Sequence, residues 1–384
     1  MLGLHLKKKN PCEIISQERL DIEKHEKSKT LKIAVILSAV LILVVIVCVL
    51  AGRYSCTKLE ILQCFFYGIV DLFCTILEIP AMLIPGLDYT IANPVPITWP
   101  PNVDIVLWSV RIPRIIAVIF VGGGLAISGA NYQGLFKNPL VSESILGVSA
   151  GASLGASLSI LCAWGYIATN IAAFIGGILA VSLTYVISQI FTGNKTLLLV
   201  LSGSIVSSIF SAGLSIVKYV APTETALPEI TFWLMGSFGD ITVSNVYFLV
   251  PVIAVCTLLL MSIRWRVNVL SFGDDEALAL GINVKRTRIM IIICSTLITA
   301  SAVCVCGMIG WVGVVIPQIT RMIIGPDARK LIPCSFAIGA AFLLIVDLVC
   351  RTLTVAEIPV GIVTSIVGAP LYIIVLKRAR EGWA

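Results

Sequence analysis

Long apolar stretches alternate along the chain with short polar connections, and the few charged residues mark where each stretch ends. A helix needs roughly 20 apolar residues to cross about 30 Å of hydrocarbon, and a charge at its centre costs roughly 2.5–3.5 kcal/mol on insertion scales. Charge-free intervals therefore locate the membrane spans, and we predict ten transmembrane helices in an all-α polytopic membrane protein. Two intervals hold two spans each, with breaks expected near Trp164–Gly165 and Gly307–Gly313. The intervals run over 33–52, 115–136, 144–194, 196–217, 241–263, 289–320, 331–346 and 358–376.

One apolar stretch, Ile61–Ile84, does not fit this rule, because it carries Asp71 and Glu78 and is interrupted by a proline. We interpret it as an interfacial or outward-facing helix and assign residues 53–110 to an extracytoplasmic or interfacial segment. If this stretch crossed the membrane, the orientation of everything upstream would be reversed.

Lys and Arg are shared unevenly between the two faces that these spans define. With the N-terminus inside, 21 of the 27 basic residues fall on the cytoplasmic side, as the positive-inside rule requires. Both termini are therefore expected in the cytoplasm, and the net charge of +6 is a topology signal that does not indicate a nucleic-acid partner. We assign residues 1–32 to a flexible cytoplasmic tail, 33–52 to the first transmembrane helix and 111–384 to a core domain of spans 2–10, with a cytoplasmic loop at 264–288.

Composition agrees with this interpretation. The chain is 58% hydrophobic and 12% charged, against about 45–50% and about 25% in soluble domains, which excludes both a soluble fold and a disordered chain. The twelve cysteines are scattered, mostly within spans, as expected of buried thiols that act as small apolar residues. His5 and His25 both lie in the tail, so we exclude a histidine metal site in the membrane and expect no bound metal or cofactor.

The chain lacks several sequence motifs that are typical of catalysis and of ATP hydrolysis. The chain has no HExxH and no GxSxG, and Thr192–Thr196 is not a Walker A loop because the second glycine before the lysine is absent. We therefore expect no catalytic residues and no ATP hydrolysis by this chain. Acidic residues are scarce within the spans, which argues against a carrier coupled to protons or sodium. The class that remains is a neutral conduit, which is powered by a partner if it is powered at all.

Two groups of charged residues need a functional explanation. Arg111 and Arg114 place basic charge on the outer face, against the positive-inside rule, so they are expected either to meet an acidic partner or to reach lipid phosphate. In the cytoplasmic loop, acidic residues after Gly273 load the first turn of a short helix of about 8–10 residues that Gly281 can end. So short a helix is marginal alone, and it is either docked on a partner or a solvated connector.

Glycines at 147, 151 and 155 repeat at four-residue spacing, which allows helix backbones to approach closely. Asp347 and Arg351 are spaced for an ion pair within one helix. Both patterns predict packing and neither by itself predicts a substrate contact.

The motifs taken in order resemble those of the FecCD-type permeases of ABC importers for iron–siderophore, haem and cobalamin. The chain carries RIPR at 111–114, SGANYQGLFKNPL at 128–140, LGVSAGA at 146–152, GMIGWVGVVIPQITR at 307–321 and EIPVGIVTSIVGAPL at 357–371. The resemblance implies the type II ABC importer architecture and a multi-pass location in the cytoplasmic membrane of a prokaryote. It also implies ATPase subunits inside, a substrate-binding (lipo)protein outside and a second permease copy or paralogue. Membrane lipid is the remaining partner.

The resemblance also implies roles for particular positions. The ATPase-coupling segment would comprise Gly273, Asp274, Asp275, Glu276, Ala277, Leu280 and Gly281. The basic positions that meet acidic residues of a binding protein would be Arg111, Arg114 and Arg351. The wall of the translocation pathway would comprise Ser202, Gly203, Ser204, Ser207 and Ser208.

Two departures stand out: Gln318 occupies the usual place of a His, which puts a titratable role there in doubt, and the insertion from Arg53 to Asp104 has no functional account. Two other classes stay open from the sequence. An ion-coupled carrier would import with ATP removed and stop with an uncoupler. A membrane enzyme or receptor would accumulate nothing, so substrate accumulation that is lost in an inserted Gly281→Pro variant would speak against it.

Overall fold

The computed structural model describes residues 11–52, 56–83 and 91–381, and this part of the chain is helical with no strand. Its elements are α1 (Pro11–Leu50), α2 (Lys58–Leu83), α3 (Pro101–Asp104), a π-helical stretch (Ile105–Arg111), α4 (Ile112–Phe136), α5 (Val148–Leu161), α6 (Tyr166–Ile190), α7 (Lys195–Val220), α8 (Ala226–Met235), α9 (Val243–Ser262), α10 (Arg264–Leu270), α11 (Asp274–Ala279), α12 (Val284–Cys306), α13 (Val312–Ile324), α14 (Ala328–Thr352) and α15 (Val360–Glu381).

The all-α polytopic fold is confirmed. Within the described residues, eight helical segments are long and apolar enough to cross a membrane, and α5, α13 and most of α15 form three shorter apolar helices. With α2 set aside, ten remain, as the charge-free intervals predict. Both predicted breaks are present, because α5 gives way to α6 across Trp164–Gly165 and α12 gives way to α13 across 307–311.

The N-terminal region differs from the expected flexible tail. Helix α1 begins at Pro11 and continues without interruption to Leu50, while residues 1–10 lie outside the described part. The polar half of α1 is rich in Glu and Lys, which are good helix formers. It extends an apolar helix, so it does not bear the cost of nucleation. The cytoplasmic location of residues 1–32 stays a prediction.

The inserted segment leaves α1 and returns to α4 at the same end of the bundle, because the Nη1 of Arg111 donates to the carbonyl of Val49 at 2.9 Å. Helix α2 packs on the entry to α4 through the stacked rings of Phe65 and Trp108, whose centroids are 6.2 Å apart. The non-helical stretch 91–99 lies back against α2, where Asn93 donates to the carbonyl of Tyr67 at 3.0 Å. Non-helical backbone does not cross lipid, so this geometry supports the interfacial interpretation of 53–110, which stays a prediction.

Glycines set the closest helix crossings of the core. A Cβ on Gly129 of α4 would lie 1.9 Å from the carbonyl oxygen of Gly313, at the start of α13. Between α5 and α6, a Cβ on Gly151 would lie 2.2 Å from the carbonyl of Gly176. The predicted close approach of helix backbones is thus confirmed at Gly151 and Gly155, whereas Gly147 precedes α5 in a left-handed conformation with φ of 89°.

Candidate functional site

The predicted coupling segment folds as a short helix between α10 and α12. Helix α11 has six residues, fewer than the 8–10 expected, because Leu280 is already the C-cap and Gly281 turns left-handed with φ of 75°. The amide of Gly281 donates to the carbonyl of Leu278, and the amide of Ile282 donates to that of Ala277, both at 2.9 Å. This is a Schellman motif, in which glycine supplies the positive φ without a Cβ penalty.

Helix α11 presents an acidic and apolar surface away from the protein. Asp274, Asp275 and Glu276 are exposed, and Asp274 accepts from the Nη2 of Arg288 at 2.9 Å. Ala277 is fully buried and therefore attaches the helix to the bundle rather than contacting a partner.

Sequence reasoning missed the apolar part of this surface. The side chains of Phe272, Leu278 and Leu280 are 74%, 59% and 61% exposed, and only Leu280 had been predicted to take part. The helical spacing from a buried Ala277 could have indicated Leu278.

Two of the three arginines predicted to face outward, Arg114 and Arg351, belong to an ionic network at the end of the bundle opposite α11. Arg114 donates to Asp347 Oδ1 through Nε at 3.0 Å and Nη2 at 2.8 Å. It also forms a two-pronged contact with Glu357, at 3.0 Å and 2.8 Å. Asp347 is shared with Arg351, whose Nε lies 3.5 Å from Oδ2. We call Arg114, Asp347, Arg351 and Glu357 the outer network.

The outer network corrects the expectation that these arginines face outward. Arg111, Arg114 and Arg351 are only 4%, 7% and 6% exposed. The chain satisfies them from within, since Arg351 also donates to the carbonyl of Cys48 at 2.7 Å, and Arg111 binds the end of α1 as described above. The ion pair expected between Asp347 and Arg351 is confirmed. A docking role for the three arginines stays a prediction.

The outer network borders an open cavity of about 430 Å³, which we call the outer cavity. Glu357 forms part of its wall, together with Glu229 of α8 and Asp240 of the next connection. Trp233 and Cys306 also line it. The cavity is therefore acidic on the side where the sequence analysis expected positive charge.

Helix α7 places the predicted pathway residues on two different faces. Ser202 is 3% exposed and Gly203 is also buried, because a Cβ on Gly203 would lie 2.4 Å from the carbonyl of Ile145. Ser204 and Ser208 are exposed, and Ser207 is half-buried. Thus Ser202 and Gly203 are packing positions in this structure.

The exposed face of α7 extends further than the sequence analysis proposed. Ser211 and Ser215 continue the row of Ser204 and Ser208 at helical spacing, and they are exposed as well. The hydroxyls of Ser204, Ser208 and Ser215 donate to the carbonyl four residues earlier at 2.9–3.1 Å. This row is neutral, and three of its four hydroxyls are bonded within the helix, so it offers a polar wall without a charge.

An amide cluster joins the end of α4 to α13. Gln318 donates through Nε2 to the carbonyl of Pro139 at 2.7 Å and to Oε1 of Gln133 at 3.2 Å. Gln318 also accepts from Arg321 Nη1 at 2.8 Å. Gln318, which replaces the usual His, thus acts in this structure as a neutral donor and acceptor between two helices.

A lone carboxyl is buried near this cluster. Glu143, in the connection between α4 and α5, is 3% exposed, and its Oε2 has no hydrogen-bond partner. It lies against Gly313, where an added Cβ would come within 1.9 Å of that oxygen. Desolvation raises the pKa of Glu143 to about 7. Nothing in the sequence indicates this burial, because Glu143 lies within a polar connection between two helices.

Within residues 11–52, 56–83 and 91–381, no group of three His, Cys, Asp or Glu side chains is arranged to hold a metal ion. The arrangement instead provides two candidate contact regions at opposite ends, joined by a neutral helical bundle.

Comparison with known proteins identifies this arrangement. The model of the FecCD transport family matches residues 40–378. The molybdate import system permease protein MolB of Haemophilus influenzae is 38% identical over 277 residues, 72% of this chain and 82% of the relative. The hemin transport system permease protein HmuU of Yersinia pestis is 34% identical over 295 residues, 74% of this chain and 87% of the relative. A Helicobacter pylori protein named "Probable iron chelatin transport system permease protein" is 38% identical over 279 residues, 73% of this chain and 84% of the relative.

The fold gives the same result. A solved inward-facing structure of a metal-chelate type ABC transporter matches with a TM-score of 0.76 and 33% identity, covering 90% of this chain and 99% of that one. The family model spans most of the chain, and the fold and the order of helices agree with it. The chain therefore belongs to the FecCD transport family and is an integral membrane permease of the ABC importer class.

Proposed function

We propose that this chain is the permease subunit that carries an iron chelate, or a related haem or cobalamin compound, across the cytoplasmic membrane. A separate ATPase supplies the energy, and both termini lie inside. The observation that carries the proposal is the match over 90% of the chain to a metal-chelate type transporter. The wall of α7 supports it, because neutral hydroxyls allow a bulky chelate to pass without tight binding.

Coupling to the ATPase is proposed to run through α11. This helix combines three exposed acids with exposed apolar side chains on a cytoplasmic connection. Exposed apolar groups rimmed by charge are typical of protein–protein contact sites. The buried Ala277 and the Schellman motif would transmit a push on α11 to α10 and α12.

A second permease copy or a close paralogue is proposed to face α7. Its exposed aliphatic row, Ile205, Ile209 and Ile216, runs beside the serine row, so a two-fold pairing would bury one row and leave the other toward a central pathway. Such a pathway would be lined by Ser204, Ser208 and, in addition to the predicted set, Ser211.

The outer end is proposed to receive a substrate-binding protein near Arg114. Arg111 and Arg351 would support that site from below. Since all three are buried here, direct contact with a partner's carboxylate requires a rearrangement of the outer network. Replacement of both Arg111 and Arg114 by Glu should abolish association with the binding protein, and unchanged association would contradict this role.

The experiment that tests the function is uptake by proteoliposomes that contain the permease with its ATPase and binding protein. We expect accumulation of a ferric siderophore that requires ATP and persists with an uncoupler. Accumulation that needs an ion gradient and no ATP would overturn the proposal. Accumulation that is lost in Gly281→Pro, with the protein still inserted, would locate the coupling at α11.

Molybdate is a second candidate substrate, because the permease MolB is as similar as the iron chelatin relative, at 38% identity. The same vesicles should therefore be offered molybdate and a ferric siderophore in parallel. Accumulation of molybdate alone would replace the iron chelate in the proposal and leave the importer class unchanged.

A further inference from the structure

Glu357 is held by Arg114 in a way that differs from the other carboxylate of the outer network. Asp347 is fully buried and forms ion pairs with two arginines, whereas the side chain of Glu357 is 32% exposed and faces the outer cavity. Both oxygens of Glu357 accept from Arg114, at 3.0 Å and 2.8 Å. A planar two-pronged contact of this kind can be replaced by any other carboxylate that approaches in the same geometry.

Three connections meet beside Glu357 at what we call the outer junction, formed by Gly236, Gly307 and Gly361. A Cβ on Gly236 would lie 2.6 Å from the carbonyl of Met308, one on Gly307 would lie 2.3 Å from that of Trp233, and one on Gly361 would lie 2.4 Å from that of Met235. The ends of α8, α12 and the start of α15 are therefore in backbone contact.

Hydrogen bonds fix the outer junction to the non-helical segment that carries Glu357. The amide of Val360 donates to the carbonyl of Gly236 at 2.9 Å, and the amide of Ile358 donates to that of Cys350 at 3.2 Å. The amide of Ser237 donates to the carbonyl of Cys306, also at 2.9 Å. Val360, three residues after Glu357, is thus bonded to the junction, so movement of Glu357 away from Arg114 would act on it.

We propose that Glu357 is an exchangeable partner of Arg114 that keeps the outer junction closed until a carboxylate of a docked protein replaces it. Asp347 stays in place during the exchange, since it is buried and shared with Arg351. The partner's side chain would enter through the outer cavity, and the release of Glu357 would loosen the contact between α8 and α15. The docking half of this inference rests on the function proposed above, whereas the closing of the junction by Glu357 does not.

Cys306 is a native reporter for the junction. It is 3% exposed, lines the outer cavity and precedes Gly307 directly. Cys162, at the end of α5, is exposed and serves as the internal control. The full-length chain in detergent is treated with a hydrophilic maleimide, and the labelling of each cysteine is followed by mass spectrometry.

We expect Glu357→Gln to speed the labelling of Cys306 about two- to fivefold, the size expected from loss of a partly exposed ion pair. The labelling of Cys162 should not change. Glu357→Asp keeps the charge and should label like the wild type, which a merely steric role would not produce. Equal labelling of Cys306 in wild type and Glu357→Gln would overturn the proposal.

Two further measurements keep the test decisive if Glu357→Gln does not fold. A polyglutamate peptide added to the wild type should speed the labelling of Cys306, and polylysine should not; no effect of polyglutamate would overturn the exchange. Gly361→Ala should speed the labelling as well, because it opens the junction directly, whereas Gly310→Ala should not, since nothing lies within 4 Å of a Cβ there.

Failure of the two proposals can be told apart. If the labelling responds as expected and proteoliposomes import nothing, the exchange stands and the importer function fails. If import is observed and the labelling does not respond, the function stands and Glu357 is not the exchangeable partner.

Discussion

The outer network and helix α11 use their charges in opposite ways. In the outer network, two carboxylates face two arginines inside the protein, and each arginine is less than a tenth exposed. In α11, three acids in succession are exposed beside exposed leucines, and Asp274 is paired with Arg288 while Asp275 and Glu276 face solvent. Both regions attract attention in the sequence as unusual clusters of charge. A cluster of charges is therefore available to a partner protein only where the chain itself has not already paired those charges.

The largest loss of stability is expected when the central carboxylate of the outer network is removed. Asp347→Ala leaves Arg114 and Arg351 buried without it, and breaking a buried pair by removing one member costs about 3–5 kcal/mol. We expect a large fall in the melting temperature and a smaller yield of inserted protein.

The matched control is Asp275→Ala on α11, which should change the free energy of unfolding by less than about 0.5 kcal/mol. Thermal unfolding in detergent measures both variants. Equal stability of the two variants would mean that the outer network is not a structural element.

Glu143 is a third case, because its carboxyl is buried without an arginine partner. Its folded-state pKa of about 7 lies above the unfolded value of about 4.3. The folded state therefore binds more protons between these values, so stability should fall as pH rises through this window and stay low above it.

Glu143→Gln should remove this decline and stabilise the protein by roughly 3 kcal/mol above pH 7. Melting temperatures from pH 5 to about 8 test it, with the exposed Glu276→Gln as the control that should show no such difference. A wild-type curve that is flat with pH would contradict the burial of a titrating carboxyl.

Gly281 tests how α11 is held. An alanine there has space, since nothing lies within 4 Å, but it must adopt φ of 75°, which costs about 1–2 kcal/mol. We expect faster hydrogen exchange at the amides of Ala277 and Ile282 in Gly281→Ala. Gly310→Ala, which has equal space and no positive φ, should leave that exchange unchanged.

The smallest effect on stability is expected on the bare surface of α11. Leu278→Ser removes an exposed side chain, so the melting temperature should move by less than the equivalent of about 0.5 kcal/mol. Co-purification of the ATPase and ATP-dependent uptake should nevertheless fall. Lys285→Ser, exposed on the next helix, should alter neither; full uptake in Leu278→Ser would show that α11 does not contact the ATPase there.

The sequence predicts most of the architecture because the membrane penalises charge. The breaks between α5 and α6 and between α12 and α13 fall where the intervals were too long for one span. The helical extension of α1 toward the N-terminus was not predicted. Its polar residues show no apolar periodicity, because they only continue an existing helix. The length of α11 was overestimated by the residues that cap it.

Whether a contact of a site residue could be predicted depends on how far apart the two residues lie in the chain. Asp347 and Arg351 are paired as their spacing indicates, because both lie on one helix. The partners of Arg114 lie more than 200 positions away, so local spacing could not reveal them. Likewise, the burial of Ser202 and the exposure of Ser211 depend on which face of α7 meets α5.

Hydrophobic length and the order of motifs are properties of the chain, so they are enough to identify a helical membrane protein of the permease class. Which charges are exposed follows from the packing of the helices. The exposure of α11, the closure of Arg114 by Glu357 and the solitary burial of Glu143 arise from contacts between helices distant in the chain. Desolvation depends on those contacts and not on composition, so no pattern along the chain records it.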